Sequence, residues 1–237
     1  MTKSLFTLCF CFCFAHLNYA QMSAGFSLGC INYSGDLAKG VFDPKEVNVG
    51  YGIYVAKRYA NSKFSLKGHL QTGTISGNDN NYIERWNRGY KFKSPVTFVG
   101  TTVEYAPMAK KPFDYKGNFV PQKNFFVSTG IGFTFFNPTV QGLDIKSADM
   151  TAEISKTMIT IPLNMGFRFD LVKDWSIAIE GSFYMPFTDY LDGISAAVNA
   201  SNSDKYLFYG FTLAKKWGDL KNVKVTKQVK NGAKKYN

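Results

Sequence analysis

The sequence predicts an all-β protein: a single antiparallel up-and-down transmembrane β-barrel of about eight strands, of the outer-membrane type. Three observations predict this fold. Apolar and polar side chains alternate along most of the chain in stretches of about ten residues, and this is the period of a strand. Aromatic residues make up 16% of the 237 residues, and glycine is frequent at 21, as in strands that face lipid on one side. No long apolar helix follows the N-terminal segment, so strands must make any membrane crossing.

The N-terminal segment has the features of a secretory signal peptide. Lys3 supplies a positive charge, the stretch from Leu5 to Phe14 is apolar, and the small residue Ala20 marks the expected cleavage site. The apolar stretch is only about half as long as a membrane-spanning helix requires. We therefore predict three parts: a signal peptide at 1–20, a barrel at 21–217 and a basic tail at 218–237.

The first four strands are predicted from alternating apolar positions, and a polar turn at 60–63 separates the second from the third. In chain order, these positions are Phe26, Leu28 and Cys30; Val47, Val49, Tyr51, Ile53 and Val55; Phe64, Leu66 and Leu70; and Thr97, Val99, Thr101, Val103 and Tyr105. Three of the four cysteines lie in the predicted signal peptide, which leaves Cys30. A lone cysteine forms no internal disulfide, so we expect Cys30 to be a packing residue.

The last four strands follow the same rule, and a turn at 171–174 joins the sixth to the seventh. Their apolar positions are Phe125, Val127, Ile131, Phe133 and Phe135; Ile159, Ile161, Leu163, Met165, Phe167 and Phe169; Trp175, Ile177, Ile179 and Phe183; and Leu207, Tyr209, Phe211 and Leu213, with Trp217 closing the strand.

The interleaved face distinguishes a membrane barrel from a soluble β-sandwich, which also alternates. Its polar residues are Arg58, Lys67, His69, Gln71, Glu104, Asn164, Arg168 and Glu180. In a small membrane barrel such a face points inward and the aromatic face meets lipid, whereas in a sandwich the apolar face is inside. Aromatic residues at the strand ends favour the barrel. Because buried charges must pair, we predict a lumen ion-pair network that plugs the pore, formed by Arg58, Lys67, Glu104, Arg168 and Glu180.

The connections predict the orientation of the barrel. Four odd-numbered links are long, at 34–46, 76–89, 137–156 and 188–205, while two even-numbered links are tight turns. Long loops lie outside the cell and short turns face the periplasm in outer-membrane barrels. Both chain termini are therefore predicted to be periplasmic, in an integral protein of the bacterial outer membrane.

Two lysine-rich segments lie on the predicted periplasmic side: the tail, and the even-numbered link at 106–124, which is long and so departs from this rule. The chain has a formal charge of +11, and export makes nucleic acid an improbable partner for it. The segments are either solvated surface or an electrostatic docking site for a periplasmic partner or lipid head groups. The residues predicted to bind a partner are Lys110, Lys111, Lys116, Lys221, Lys224, Lys227 and Lys230.

Several segments carry a resemblance to a known family. They are Asn32-Tyr33-Ser34-Gly35-Asp36-Leu37, Gly73-Thr74-Ile75-Ser76-Gly77-Asn78-Asp79, Gly130-Ile131-Gly132-Phe133, Phe136-Asn137-Pro138 and Phe187-Thr188-Asp189-Tyr190-Leu191-Asp192. Together they resemble the PorG-type outer-membrane barrel family of the type IX secretion system. The last segment is the most specific, and its loop residues are Thr188, Asp189, Tyr190 and Asp192. The resemblance implies a barrel that contacts periplasmic ring proteins and a lipoprotein of that secretion machine.

Catalytic and metal sites are disfavoured by the sequence. His69, Ser182 and Glu180 could form a nucleophilic trio, but no strained nucleophile turn or glycine-rich oxyanion loop surrounds Ser182. Asp189 and Asp192, with Asp36 or Asp79, lack the donor spacing of a calcium loop, and turn formation explains them better. We therefore predict no enzyme activity, no cofactor, no metal and no small-molecule substrate.

Three functions remain open. The first is a non-enzymatic barrel that anchors or scaffolds a periplasmic assembly, namely the type IX secretion ring. The second is a small surface adhesin or envelope-stabilising barrel that acts through its extracellular loops. The third is an envelope lipid enzyme.

Overall fold

The computed structural model describes residues 20–35, 37–38, 40, 42–59, 62–83, 89–109, 118–142, 155–194 and 204–218. Its strands are β1 (Ala20–Ser34), β2 (Val47–Tyr59), β3 (Phe64–Asn78), β4 (Lys91–Tyr105), β5 (Lys123–Phe136), β6 (Thr139–Gln141), β7 (Thr157–Val172), β8 (Trp175–Pro186) and β9 (Lys205–Trp217). Two short 3-10 helices follow β1 and β3, at Pro44–Glu46 and Asp79–Asn81. In this part of the chain no helix is both long and apolar enough to cross a bilayer.

The eight long strands form a closed antiparallel barrel, as the sequence predicts. Each pairs with its neighbours along the chain, and β1 closes the cylinder by pairing with β9, where Leu28 lies opposite Phe211. The remaining strand, β6, is only three residues long and pairs with the first residues of β4. Because the strand number is even, β1 begins and β9 ends at the same end of the barrel. We call this the terminal end and the opposite one the distal end.

The outer surface of the barrel is apolar. The five alternate residues of β2 from Val47 to Val55 are all exposed, and Val49 reaches 67%. Matching residues on other strands, such as Ile131, Met165 and Phe211, are also more than half exposed. Exposed apolar side chains on every long strand form a continuous band, and such a band is stable in lipid and not in water. The sequence assigns the outward face correctly.

Aromatic side chains ring the terminal end of this band. Phe64 packs against Tyr105 across β3 and β4, with ring centroids 5.0 Å apart. Trp175 and Trp217 are 39% and 45% exposed at the start of β8 and the end of β9. Such rings sit at the boundary between lipid and water in membrane barrels.

Inward-facing glycines make room for inward-facing aromatic rings. A Cβ atom added to Gly100 or Gly132 would lie 2.4 Å or 2.5 Å from the ring of Phe98, and one added to Gly77 would lie 2.5 Å from the ring of Phe92. Because a lumen of eight strands is only just wide enough for side chains, large rings on some strands require bare backbone on their neighbours. The frequent glycines of the sequence thus have a packing role.

Candidate functional site

The lumen near the terminal end carries ion pairs. Arg168 donates two hydrogen bonds to Glu104, from Nη1 to Oε1 at 2.8 Å and from Nη2 to Oε2 at 2.7 Å. The guanidinium also lies over the ring of Phe126, 4.7 Å from its centroid. A bidentate pair of this kind fixes both side chains, because two parallel bonds define one orientation. The pair links β4 to β7 across the barrel.

A second, more deeply buried pair lies above the first. Lys67 Nζ is 3.4 Å from Glu180 Oε2, and both side chains are about 5% exposed. Glu180 Oε1 accepts a hydrogen bond from Ser27 Oγ at 3.0 Å and another from Thr212 Oγ1. The lysine also lies over the ring of Tyr54, 4.4 Å from its centroid. Three donors around one carboxylate offset much of the cost of burying its charge.

The predicted lumen residues are therefore all inward, yet they do not form one network. Arg58 differs from the expectation, because within the described part of the chain it makes no ion pair. It lies near the end of β2, and its Nε donates to the carbonyl oxygen of Ser62 at 3.1 Å. A third pair that the sequence did not predict joins Lys216 to Asp170 at the same end. Strand periodicity gives the face of these two residues but not their proximity.

The distal half of the lumen is filled mainly by aromatic rings. Phe98 and Tyr184 have ring centroids 5.0 Å apart, and Tyr184 stacks on Tyr206 at 4.6 Å with an interplanar angle of 10°. Tyr33 and Phe92 pack edge to face at 4.7 Å. These rings, with Ile31, Ile75 and Phe208, belong to one fully buried cluster that we call the aromatic plug. The aromatic plug, and not the ion pairs alone, fills the pore.

The loop after β8 covers the plug and is shaped by local turn chemistry. Tyr190 N donates to Thr188 Oγ1 at 3.1 Å, and Ile194 N donates to Asp192 Oδ1 at 2.9 Å. Gly193 follows with a φ of 83°, a conformation that L side chains rarely adopt. Leu191 and Ile194 are buried in the aromatic plug as a result. The predicted turn at Asp192-Gly193 is present.

Two carboxylates fix this loop to the barrel. The hydroxyl of Tyr33 lies 2.7 Å from Asp192 Oδ2 and 2.6 Å from Asp204 Oδ1. Asp204 also accepts the backbone N–H of Leu191 at 3.0 Å. All three side chains are fully or almost fully buried. The described part of the loop after β8 thus covers the distal end, and we call this part, residues 187–194, the roof.

Two further distal loops are tied to each other. The side chain of Asn32 exchanges hydrogen bonds with the backbone of Asp43, at 2.7 Å and 2.9 Å. Tyr82 donates its hydroxyl to Asp43, and Asn81 Nδ2 donates to Glu46 Oε1 at 2.6 Å. The loops after β1 and β3 therefore form one hydrogen-bonded unit beside the roof.

The candidate catalytic trio is not assembled in the structure. Glu180 is engaged by Ser27, Thr212 and Lys67, and no hydrogen bond joins it to His69 or Ser182 within the described residues. His69 instead packs edge to face against Phe98, with centroids 5.0 Å apart. Among those residues, no three His, Cys, Asp or Glu side chains come close enough to hold a metal ion. Of the proposed calcium set, Asp36 lies outside the described residues.

The predicted partner-binding residues cannot be placed. Lys110, Lys111, Lys116, Lys221, Lys224, Lys227 and Lys230 all lie outside the described residues, as does the predicted signal segment up to residue 19. The strands that lead into both lysine segments, β4 and β9, end at the terminal end of the barrel. Cys30 is a half-exposed free cysteine on the outer face of β1.

Three solved structures illustrate the likeness to known barrels. The attachment invasion locus protein Ail of Yersinia pestis is 7% identical, with a TM-score of 0.44, over 84% of this chain and 99% of that one. The outer membrane protein OprG from Pseudomonas aeruginosa is 10% identical, with a TM-score of 0.44, over 85% and 97%. The outer membrane enzyme PagL is 14% identical, with a TM-score of 0.32, over 84% and 99%.

A family assignment comes from the sequence comparisons. A search of curated proteins gives no match. The family model described as Domain of unknown function (DUF6089) matches residues 3–223, which is nearly the whole chain and includes every strand of the barrel. A closed eight-stranded barrel with an apolar exterior and a polar, plugged interior is the architecture of outer-membrane barrels, and the chain belongs to the DUF6089 family.

Proposed function

We propose that this protein is an integral outer-membrane barrel that anchors a periplasmic assembly without catalysing a reaction, and that the assembly is the ring of the type IX secretion system. The difference between the two ends of the barrel carries the proposal. The distal end is sealed by the roof and the aromatic plug, whereas the terminal end is polar and carries the strands that lead into both lysine-rich segments.

The orientation follows from the lengths of the connections. At the terminal end, β7 and β8 are joined by the two-residue turn Lys173-Asp174, and β2 and β3 by a four-residue turn. At the distal end, the connections from β1 to β2, β3 to β4, β5 to β7 and β8 to β9 are longer, and the remaining terminal link, between β4 and β5, is also long. Short turns face the periplasm in outer-membrane barrels, so the lysine segments would face the periplasm too. A positive surface there suits an acidic protein partner.

Crosslinking from the periplasmic face of intact cells, followed by mass spectrometry, tests the proposal. The variant Lys110→Glu/Lys111→Glu and deletion of 218–237 should each lower the yield of the crosslinked partner by reversing or removing positive charge. Lys91→Glu/Lys93→Glu is the matched control, because it makes the same charge change on exposed side chains at the distal end. Partner recovery that is the same in all four proteins would contradict the anchoring role.

A second candidate is a surface barrel that binds through its extracellular loops. One observation favours it: the hydrogen-bonded distal loops expose two large apolar side chains, Phe42 at 51% and Ile83 at 88%. In that case Phe42→Ser/Ile83→Ser would abolish adhesion of whole cells to a host-matrix surface, and the lysine variants would leave adhesion unchanged.

A further inference from the structure

The terminal end of the barrel opens into a polar cavity, which we call the terminal mouth. Its charged lining is Arg58, Glu104, Arg168, Asp170, Lys173 and Lys216. Four of these side chains are cationic and two are anionic, so the cavity has an excess of two positive charges. The aromatic plug closes the lumen above it, so the described residues leave the cavity open toward the terminal side.

Pairing within the mouth leaves Arg58 without an ion-pair contact among the described residues. Glu104 is held by Arg168 through two hydrogen bonds, and Asp170 is held by Lys216. Arg58 is half-buried, and its one hydrogen bond in the described part of the chain uses Nε, so both terminal amino groups have no protein partner there. A guanidinium with two parallel N–H groups available is suited to a carboxylate or phosphate.

A second orphaned group lines the same cavity. Asn124 is only 6% exposed, and its Oδ1 has no hydrogen-bond partner in the described part of the chain. Buried amide atoms are nearly always hydrogen-bonded in folded proteins. The same carboxamide carries Nδ2, a neutral donor from which an anion in the mouth could accept a hydrogen bond.

We propose that the terminal mouth binds one carboxylate group of a periplasmic protein, with Arg58 as the charged ligand and Asn124 as a neutral donor. This inference rests on the proposed orientation and names the chemistry of the partner. Lipid phosphates surround the outer wall of a barrel, whereas the mouth opens inside the wall and faces water. An acidic side chain or a chain terminus from the aqueous side can enter it.

Calorimetric titration of the refolded full-length protein in zwitterionic micelles with N-acetyl-tetraglutamate tests this. Arg58→Gln should weaken binding about tenfold or more, the usual cost of losing a charge-assisted hydrogen bond. Asn124→Ala should weaken it by a smaller factor. Lys57→Gln is the matched control, because Lys57 adjoins Arg58 on β2 but points to the outer face, and it should bind like wild type.

Equal affinities for Arg58→Gln and Lys57→Gln would overturn the proposal. So would inorganic phosphate binding more tightly than the peptide in an Arg58-dependent manner, because the site would then be a phosphate site. The in-cell crosslinking assay separates this inference from the proposed function. A partner that crosslinks equally to wild type and Arg58→Gln would leave the anchoring role intact and place its contacts elsewhere.

Discussion

Replacement of Glu180 by Leu should destabilise the barrel strongly, because it leaves a buried lysine without its counter-ion. Lys67 and Glu180 are 5% and 6% exposed, and removal of one partner from a buried pair costs about 3–5 kcal/mol. Ser27 and Thr212 lose an acceptor, but their hydroxyl oxygens are 2.7 Å apart, so one can then donate to the other. The remaining contact of Lys67 with the ring of Tyr54 is worth at most about 2 kcal/mol.

The double variant Lys67→Met/Glu180→Leu should recover most of this loss. Neither new side chain carries a charge, and buried pairs replaced by apolar residues of similar volume are often neutral or more stable. We therefore expect the free energy of unfolding of the double variant to lie within about 1 kcal/mol of wild type. It should be well above the values of both single variants, Glu180→Leu and Lys67→Met. The coupling between the two sites is the loss in the double variant minus the sum of the two single losses.

Urea unfolding of the refolded protein in phospholipid vesicles, followed by tryptophan fluorescence, measures these free energies of unfolding. Asp174→Asn in the exposed turn between β7 and β8 removes a carboxylate outside the lumen and should change stability by less than about 0.5 kcal/mol. A loss of unfolding free energy in Glu180→Leu no larger than in this control would contradict the role of the buried pair. So would a loss in the double variant equal to the sum of the two single losses, because the residues would then act independently.

Three further predictions concern the plug, the roof and the pore. Gly132→Val should lower the free energy of unfolding by about 1–3 kcal/mol, because its Cβ would sit 2.5 Å from the ring of Phe98. Gly68→Ala is the control, because the space around Gly68 is open. Equal unfolding midpoints for the two variants would refute the packing role of Gly132. Tyr33→Phe should loosen the roof, since Asp192 and Asp204 lose a buried donor; faster protease cleavage within residues 187–204 on whole cells is expected, and an unchanged rate would show that the roof is held by other contacts. The purified protein should form no steady ion channels in planar bilayers because the aromatic plug fills the lumen; stable conductance steps would contradict that.

The sequence predicts the strands and faces well because both depend on local alternation. β2 is the clearest case, since its five alternate apolar residues from Val47 to Val55 all point outward. The strand ends are less accurate: β1 extends well beyond the Phe26 to Cys30 stretch, and β3 continues to Asn78, into the link predicted at 76–89. Hydrogen bonds to neighbouring strands lengthen β1 and β3. The local sequence of one strand does not show which strands it will pair with.

The contents of the lumen are harder to predict than its existence. Alternation places Lys67, Glu104 and Glu180 inside, but which charges meet depends on strand tilt and stagger around the closed cylinder. For this reason the sequence does not predict the pairing of Lys216 with Asp170, and Arg58, which is predicted to belong to the lumen network, makes no ion pair among the described residues. The aromatic plug was missed because inward aromatics such as Phe98 and Tyr206 were obscured by the polar residues around them. Inward-facing glycines opposite aromatic residues on the neighbouring strand are the sequence signal that predicts the aromatic plug.

The fold places lipid against the apolar face of every strand, and a nitroxide scan along β2 in phospholipid vesicles tests this most directly. Each residue from Val47 to Val55 is replaced in turn by spin-labelled cysteine in a background in which Cys9, Cys11, Cys13 and Cys30 are alanine. We predict high oxygen accessibility at the five odd-numbered positions and low accessibility at the even-numbered ones between them, with little exposure of either set to a water-soluble nickel reagent. Nickel accessibility at the odd-numbered positions, or the absence of a period of two, would contradict the barrel's inside-out arrangement.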